Sequence, residues 1–322
     1  MTSVSALPSL RQLRYLVVLS EKLSFRQAAE ALFVTQSTLS AGIKELESTL
    51  GIQLVERDSR GVRMTPVGAA VTGRARDLLA RAHDLVQFAR RSGAPLTGPL
   101  TLGVIPTIAP YLLPRLLPAL RKAYPLLELY LREDQTERLI ERLRAGELDV
   151  ALMALPWETG DLAVQALFKD EFWFVARADD PVAQQEEVAV RGLDLGRLML
   201  LEEGHCLRDH AITACGRRAT GIAPLIEATS LQTLIQMVDG GLGVTLLPEM
   251  TLKSGILKGT QLVARPFSTH VPSRTIALVA RPTTAGAEDF SLLAEFIREH
   301  ARDGGRTRAP SRVRGARQPA TT

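Results

Sequence analysis

The chain has 322 residues, 46% of them hydrophobic and 23% charged, the make-up of an ordinary globular protein of two or three domains. That composition excludes a disordered chain, a coiled-coil rod and a disulfide-stapled miniprotein; two cysteines cannot frame a secreted fold, and the cytoplasm is the expected compartment. No apolar run reaches the roughly 18 residues of a membrane span, and the first ten residues lack the basic and apolar stretches of a signal peptide.

The net charge of +4 is unevenly spread. Residues 1–91 hold 13 Lys+Arg against 8 Asp+Glu, residues 92–301 hold 20 against 26, and residues 302–322 hold six Arg against one Asp. A basic first third on an acidic body points to a polyanion met by the N-terminal part.

Leu10, Leu13, Leu16 and Val17 follow helical spacing. Ser24-Phe25-Arg26-Gln27 has the form of a capping box, and Phe25, Ala28, Ala29 and Leu32 then give one apolar face. After Phe33-Val34, Thr35 is the cap of a second helix, in which Leu39, Ile43, Leu46 and Leu50 step by four, three and four until Gly51. Two capped helices across a tight turn fit a helix-turn-helix or, on periodicity and caps alone, equally a plain helical mini-domain. Its second helix leaves Gln36, Ser37, Ser40 and Lys44 facing outward, short polar side chains suited to base edges and phosphates. Residues 54–65 read as a two-stranded ribbon turning at Asp58-Ser59-Arg60-Gly61, with Arg57, Arg60 and Arg63 along it. Pro66 then opens a long helix to about residue 91, capped by Thr65. Val71, Ala75, Leu78, Ala82 and Leu85 alternate at four and three along it, the spacing of a coiled-coil seam.

Ser92-Gly93-Ala94-Pro95 reads as a hinge. Beyond it the texture becomes α/β. Strands are expected at 100–105, 128–131, 150–154, 172–176, 198–201, 244–247 and 275–280, and helices at 112–123, 136–145 and 231–238. Alternating strands and helices imply a mostly parallel sheet. Gly240-Gly241-Leu242-Gly243 precedes a strand, the wrong order for a dinucleotide loop, and reads as a turn; Trp157 and Trp173 read as packing residues. The composition of residues 302–322 predicts a disordered Arg-rich tail.

The two cysteines sit in Gly204-His205-Cys206-Leu207-Arg208-Asp209-His210-Ala211-Ile212-Thr213-Ala214-Cys215. The residues admit three readings: buried structural thiols, a metal site from His205, Cys206, His210 and Cys215, or a redox pair. If 207–214 is helical, nine steps of about 1.5 Å hold the two Cα atoms some 13.5 Å apart, and a disulfide needs under about 7 Å. Such a bond would require the segment to unwind. His205, Arg208 and His210 offer positive charge to a thiol, while Glu202, Glu203 and Asp209 act the other way.

The residues also carry a family resemblance. Leu10-Arg11-Gln12-Leu13-Arg14-Tyr15-Leu16, Ser24-Phe25-Arg26-Gln27-Ala28-Ala29, Val34-Thr35-Gln36-Ser37-Thr38-Leu39-Ser40, Ile43-Lys44-Glu45-Leu46-Glu47, Leu54-Val55-Glu56-Arg57 and Met64-Thr65-Pro66-Val67-Gly68 resemble the DNA-binding half of LysR-type transcriptional regulators. The resemblance implies an α/β protein. It has an N-terminal winged helix-turn-helix (1–65), a long linker helix for dimerisation (66–91) and a hinge (92–98). A two-lobed, periplasmic-binding-protein-like α/β effector domain follows at 99–301, with lobe I about 99–169 and 271–301 and lobe II about 170–270. It implies promoter DNA as partner, dimers paired into a homotetramer, RNA polymerase as a candidate partner, and no enzyme activity, membrane or cofactor. The candidate DNA contacts are Arg26, Thr35, Gln36, Ser37, Thr38, Ser40, Lys44, Arg60 and Arg63.

Gly204 to Asp209, with a second cysteine nine after the first, is similar to the redox loop of the peroxide-sensing members of that family. Gly103-Val104-Ile105-Pro106-Thr107, Gln135-Thr136 and Arg274-Thr275-Ile276 agree with it. This likeness implies a hydrogen-peroxide-sensing regulator switched by a reversible Cys206–Cys215 disulfide, with Thr107, Thr136, His205, Asp209 and Arg274 around the sulfur. Two departures stand out: His210 replaces an amide side chain common there, and Gly216-Arg217-Arg218 replaces an aromatic. The alternative is a LysR-type regulator that binds a small organic ligand between its lobes. A zinc enzyme is disfavoured, because no carboxylate–histidine cluster accompanies the cysteines.

Overall fold

The computed structural model describes residues 7–58, 61–90, 94–190, 193–214, 227–268, 271–282 and 286–302. Three helices begin the chain: α1 (Leu10–Lys22), α2 (Phe25–Ala31) and α3 (Gln36–Leu50). Ser9 closes the start of α1 with a reciprocal capping box, its own N–H donating to Gln12 Oε1 at 2.8 Å. At Ser24, where the sequence pattern places the box, the Gln27 N–H donates to the Ser24 hydroxyl at 3.4 Å. Leu13, Leu16, Leu39, Ile43 and Leu46 form the core between the helices. The ribbon is the antiparallel pair β1 (Val55–Asp58) and β2 (Gly61–Met64).

The long helix α4 runs over Pro66–Arg90, with Gly68 N–H donating to the Thr65 hydroxyl at 2.9 Å. Gly68 is required there: an added Cβ would lie 2.0 Å from the Leu54 carbonyl oxygen. The expected seam is not one continuous face. Ala75 is buried in the N-terminal core and Val71 packs against it, whereas Leu78 and Leu85 are 50% and 68% exposed, joined by Val86.

The following elements are β3 (Gly98–Val104), α5 (Ala109–Ala123), β4 (Leu127–Glu133), α6 (Thr136–Arg144), β5 (Val150–Leu155) and β6 (Ala163–Arg177). Then come β7 (Leu200–Leu201), α7 (Cys206–Ala214), β8 (Glu227–Ala228), α8 (Leu231–Asp239), β9 (Thr245–Pro248), α9 (Glu249–Lys253), β10 (Leu262–Arg265), β11 (Ser273–Ala280) and α10 (Ala287–Arg302). The main sheet has the order β10-β6-β11-β5-β3-β4, with β9 also on β6. The expectation of a mostly parallel sheet is corrected: β4 and β5 flank β3 in parallel, but the pairings of β11 with β5 and β6, and of β6 with β9 and β10, are antiparallel. The reason is β6, which is 15 residues long and passes from one core to the other. Its first part pairs with the returning β11 and its second part with β9 and β10. Pattern reading marks only residues 172–176 of it, because Lys169-Asp170-Glu171 interrupts the apolar alternation.

Two apolar cores lie along this sheet. One, lobe I, is built from β3, α5, α6, β5, β11 and α10; the other, lobe II, from the second half of β6, with α7, α8 and β9. The segment read as a hinge is tied down at its C-terminal end. Leu96 is buried in the first core, and its N–H donates to Asp289 Oδ1 at 2.7 Å. Gly240 caps α8 and Gly241, at φ 82°, makes the expected turn before β9. Of the expected tail at 302–322, Arg302 is the last residue of α10 and the rest lies outside the described residues.

Candidate functional site

The recognition helix is α3. Thr35 caps it: the Thr38 N–H donates to Thr35 Oγ1 at 3.1 Å, and the Ser37 and Thr38 hydroxyls lie within 2.9 Å of that oxygen. Gln36, Ser37, Thr38 and Lys44 are exposed, as the sequence pattern requires. Ser40 is half-buried and accepts a hydrogen bond from Arg57 Nη2 at 3.0 Å. Arg57 also lies over the Phe25 ring, 3.6 Å from its centroid, so one guanidinium joins α2, α3 and the ribbon. Arg26 is exposed and 3.4 Å from Glu30; Arg63 is exposed and 3.8 Å from Glu56. Arg60 lies outside the described residues.

The second site is built at the junction of the two cores. α7 begins at Cys206, which is 2% exposed. The cysteine packs with the first core, whereas Leu207, Ala211 and Ile212 of the same helix pack with the second. Its surroundings come from three further segments. Ile105, Pro106 and Thr107 follow β3, Gln135 and Thr136 open α6, and Gly204 and His205 precede α7. With Cys206 they line a hollow too tight in this structure for a water-sized molecule. Gly204, at φ 93°, is needed for the fit, since an added Cβ would meet Gln135 Oε1 at 2.6 Å.

Arg274 on β11 is 1% exposed, and each of its three side-chain nitrogens makes a hydrogen bond. Its Nε donates to Asp170 Oδ2 at 3.0 Å, its Nη1 to the Thr107 hydroxyl at 2.8 Å and its Nη2 to the Thr107 carbonyl at 3.1 Å. Asp170 is held in turn by the Met250 N–H at 2.9 Å. Because Thr107 Oγ1 accepts from Arg274, its own hydrogen is free to donate into the hollow. Thr136 Oγ1 is buried with no hydrogen bond of ordinary geometry, yet it acts on the sulfur and favours the thiolate. Burial pushes the Cys206 thiol above its ordinary pKa; the Arg274 charge and the Thr136 hydroxyl pull it back, and Asp209 adds to the rise.

Three charge expectations need correction. His205 and His210 both have lowered pKa values, burial being the main cause, so each is neutral at pH 7 and neither supplies a cation. His205 still lines the hollow, and His210 Nε2 lies 3.1 Å from the Pro156 carbonyl. Arg208 points elsewhere, donating to the Leu201 carbonyl at 3.1 Å and to Glu227 Oε1 at 2.5 Å. Asp209 is exposed on α7 and is not part of the hollow's wall. Asp170 is the contributor that sequence reading misses; it carries a signal in hindsight, a charge in mid-strand, whereas Gln135 stands among the residues that carry the likeness. Cys215 lies outside the described residues, and with it the metal reading of the pair; among the described residues no three His, Cys, Asp or Glu side chains converge as metal ligands.

A winged helix-turn-helix, a linker helix and a two-lobed α/β domain with a site at the lobe junction define a class of bacterial transcription regulator. The lysR-family helix-turn-helix model matches residues 10–69 and the LysR substrate-binding-domain model residues 93–302. The chain belongs to the LysR family of DNA-binding transcriptional regulators. It is 46% identical over 295 residues to the HTH-type transcriptional regulator EstR of Acinetobacter baylyi, covering 92% of this chain and 98% of that one. It is 39% identical over 297 residues to a probable hydrogen peroxide-inducible genes activator of Streptomyces viridosporus, covering 92% and 95%. Among solved structures, full-length OxyR from Pseudomonas aeruginosa superposes with a TM-score of 0.69 at 37% identity, covering 91% of this chain and 98% of that one. Among the described residues no helix is long and apolar enough to cross a membrane.

Proposed function

We propose that this chain is a hydrogen-peroxide-sensing regulator whose DNA binding is switched by a reversible disulfide between Cys206 and Cys215. The observation that carries the reading is a buried thiol with two hydroxyls beside it, Thr107 and Thr136, and the Arg274 guanidinium charge acting on it. The space beside the thiol is far smaller than the pockets of about 300–1,000 Å³ usual for organic effectors. The similarity to a peroxide-inducible genes activator and to OxyR supports it.

The chemistry is a displacement. The Cys206 thiolate attacks one peroxide oxygen; the S–O bond forms as the O–O bond breaks, and the departing hydroxide takes a proton to become water. Cys206 is then a sulfenic acid. The Cys215 thiol attacks that sulfur, water leaves, and the disulfide closes. Thr107 and Thr136 hold the peroxide, Arg274 favours the thiolate, and neutral His205 closes the wall without adding charge. On this reading Cys206 leaves the first core to meet Cys215, and reduced and oxidised forms differ in the placement of α7. On DNA, two recognition helices per dimer engage half-sites about one helical turn apart, and paired dimers form the tetramer.

Treating the reduced protein with roughly stoichiometric peroxide and mapping thiols by mass spectrometry tests this. The expected product is an intramolecular Cys206–Cys215 bond with a changed promoter footprint. Cys206→Ser loses both. A Cys206→Ser protein that responds to peroxide as wild type does refutes the reading. The competing one is a small-ligand sensor, kept as the alternative because the chain is more identical to EstR, a regulator whose name carries no mention of peroxide, than to the peroxide-inducible relative.

A further inference from the structure

Two elements leave the sulfur site and end at one place. α6 has Thr136 against Cys206 at its first residue; near its last, the Leu143 carbonyl accepts from Arg281 Nη1 at 2.5 Å. β11 carries Arg274 near its start, bonded to Thr107 and Asp170, and Arg281 directly follows its end. The helix spans about 13 Å. The strand segment from Arg274 to Arg281 spans about 24 Å. Arg281 Nη1 also donates to the Leu148 carbonyl at 2.7 Å, and its Nη2 donates to Asp84 Oδ1 at 2.7 Å. Asp84 is on α4, the helix that continues from the DNA-binding unit. One turn earlier on α4, Ala80 Cα lies 2.8 Å from where a Cβ on Gly146 would be, and Gly146 has φ 75°. The linker helix therefore rests on the turn that ends α6, and a single arginine ties together α6, β11 and α4.

This contact is not arranged for maximal strength. Asp84 Oδ2 and Arg281 Nε are both buried without a hydrogen-bond partner. A buried ion pair with open valences recovers little of its desolvation cost, so small displacements of its neighbours change its balance. On the peroxide-switch reading the displacement comes from Cys206: when it leaves the first core, the N-terminus of α6 loses the thiol beside Thr136.

We infer that α6 and β11 carry the state of Cys206 to the linker helix, with the Asp84–Arg281 pair as the coupling contact. The inference rests on the peroxide-switch reading and adds the route by which the switch reaches DNA. It makes Asp84 and Arg281 coupling residues, outside both the sulfur pocket and the recognition helix. Coupling is reciprocal, so a DNA duplex that prefers one redox form also shifts the thiol–disulfide equilibrium.

The test uses the full chain and a duplex selected from random DNA by the reduced wild-type protein. Two quantities are read: the ratio of Kd values for the oxidised and reduced forms, and the thiol–disulfide midpoint with and without duplex. Asp84→Asn is expected to form the Cys206–Cys215 disulfide as wild type does. Its Kd ratio is expected to fall to within about twofold of one, and the duplex no longer shifts the midpoint. Arg281→Lys keeps the charge but cannot hold Leu143, Leu148 and Asp84 together, and the same loss is expected; it serves if Asp84→Asn fails to fold. Variants that form the disulfide and keep the wild-type ratio overturn the inference alone. A wild-type protein with no disulfide and no redox-dependent ratio overturns the peroxide reading beneath it.

Discussion

At Cys206 two effects oppose each other. Burial alone makes a thiol unreactive, and Arg274, Thr136 and a backbone N–H act against it, Arg274 most strongly. Arg274→Ala therefore raises the thiol pKa further and moves the pH profile of Cys206 alkylation to higher pH. It also strands Asp170, buried at 2% exposure, at a cost of about 3–5 kcal/mol. Arg274→Lys separates the two effects: it restores much of the charge without the fork that holds Thr107. An alkylation profile in Arg274→Ala that matches wild type would remove Arg274 from the account. A second residue-scale effect sits in the helix-turn-helix. Phe33 has φ 54° and is 96% exposed, so it carries left-handed strain and packs on nothing. Phe33→Gly is expected to raise stability by about 1 kcal/mol, read as a higher Tm. A lower Tm would show that the side chain has a partner within the domain.

At the scale of the element, His205 directly precedes α7 and His210 lies at its middle. His205 and His210 have folded-state pKa values below their ordinary ones. The unfolded chain then binds more protons than the native one below about pH 6.5, so stability is full above that pH and falls as pH drops toward the folded values. Urea unfolding at pH 7.5 and 5.5 is expected to show this loss, and His210→Gln to reduce it; an unchanged difference in that variant would place the effect elsewhere. The linker helix gives a second prediction. Leu78, Leu85 and Val86 leave an exposed apolar strip on α4, while Ala75 and Asp84 serve the folded chain itself. Leu78→Asp is therefore expected to leave the urea midpoint of a monomer nearly unchanged while sedimentation shows smaller assemblies. An unaltered sedimentation profile would take the strip out of the assembly.

For the whole molecule, DNA affinity joins an exposed polar recognition helix to a modest basic excess. Arg63→Ala is expected to weaken binding to every sequence and to lower the salt slope by about one. Ser37→Ala is expected to relax preference between sequences while leaving that slope in place. Electrophoretic titration at several salt concentrations distinguishes the two, and a sequence-dependent loss in Arg63→Ala would exchange their roles.

The sequence by itself determined what is local. Caps and three-four spacing mark α2, α3 and α4 because a helix is made from contacts within a few residues, and the outward set Gln36, Ser37 and Lys44 follows from the apolar stripe opposite. The family motifs at 34–40 and 204–209 likewise lie in unbroken runs, so the DNA-binding class and Cys206 were legible from them. What depends on distant segments was not. The antiparallel return of β11 between β5 and β6 has no local signature, since strand direction is decided by which partners the two lobes bring together. Charge near the sulfur was misassigned for the same reason. Three cations within five residues of Cys206 looked relevant; folding neutralises His205 and His210 by burial and turns Arg208 to Glu227. The charge that reaches the thiol comes from Arg274, 68 positions away in the chain, and is oriented by Asp170 on a neighbouring strand. A site at the junction of two cores is specified by how those cores meet, and that information resides in packing rather than in any one stretch of chain.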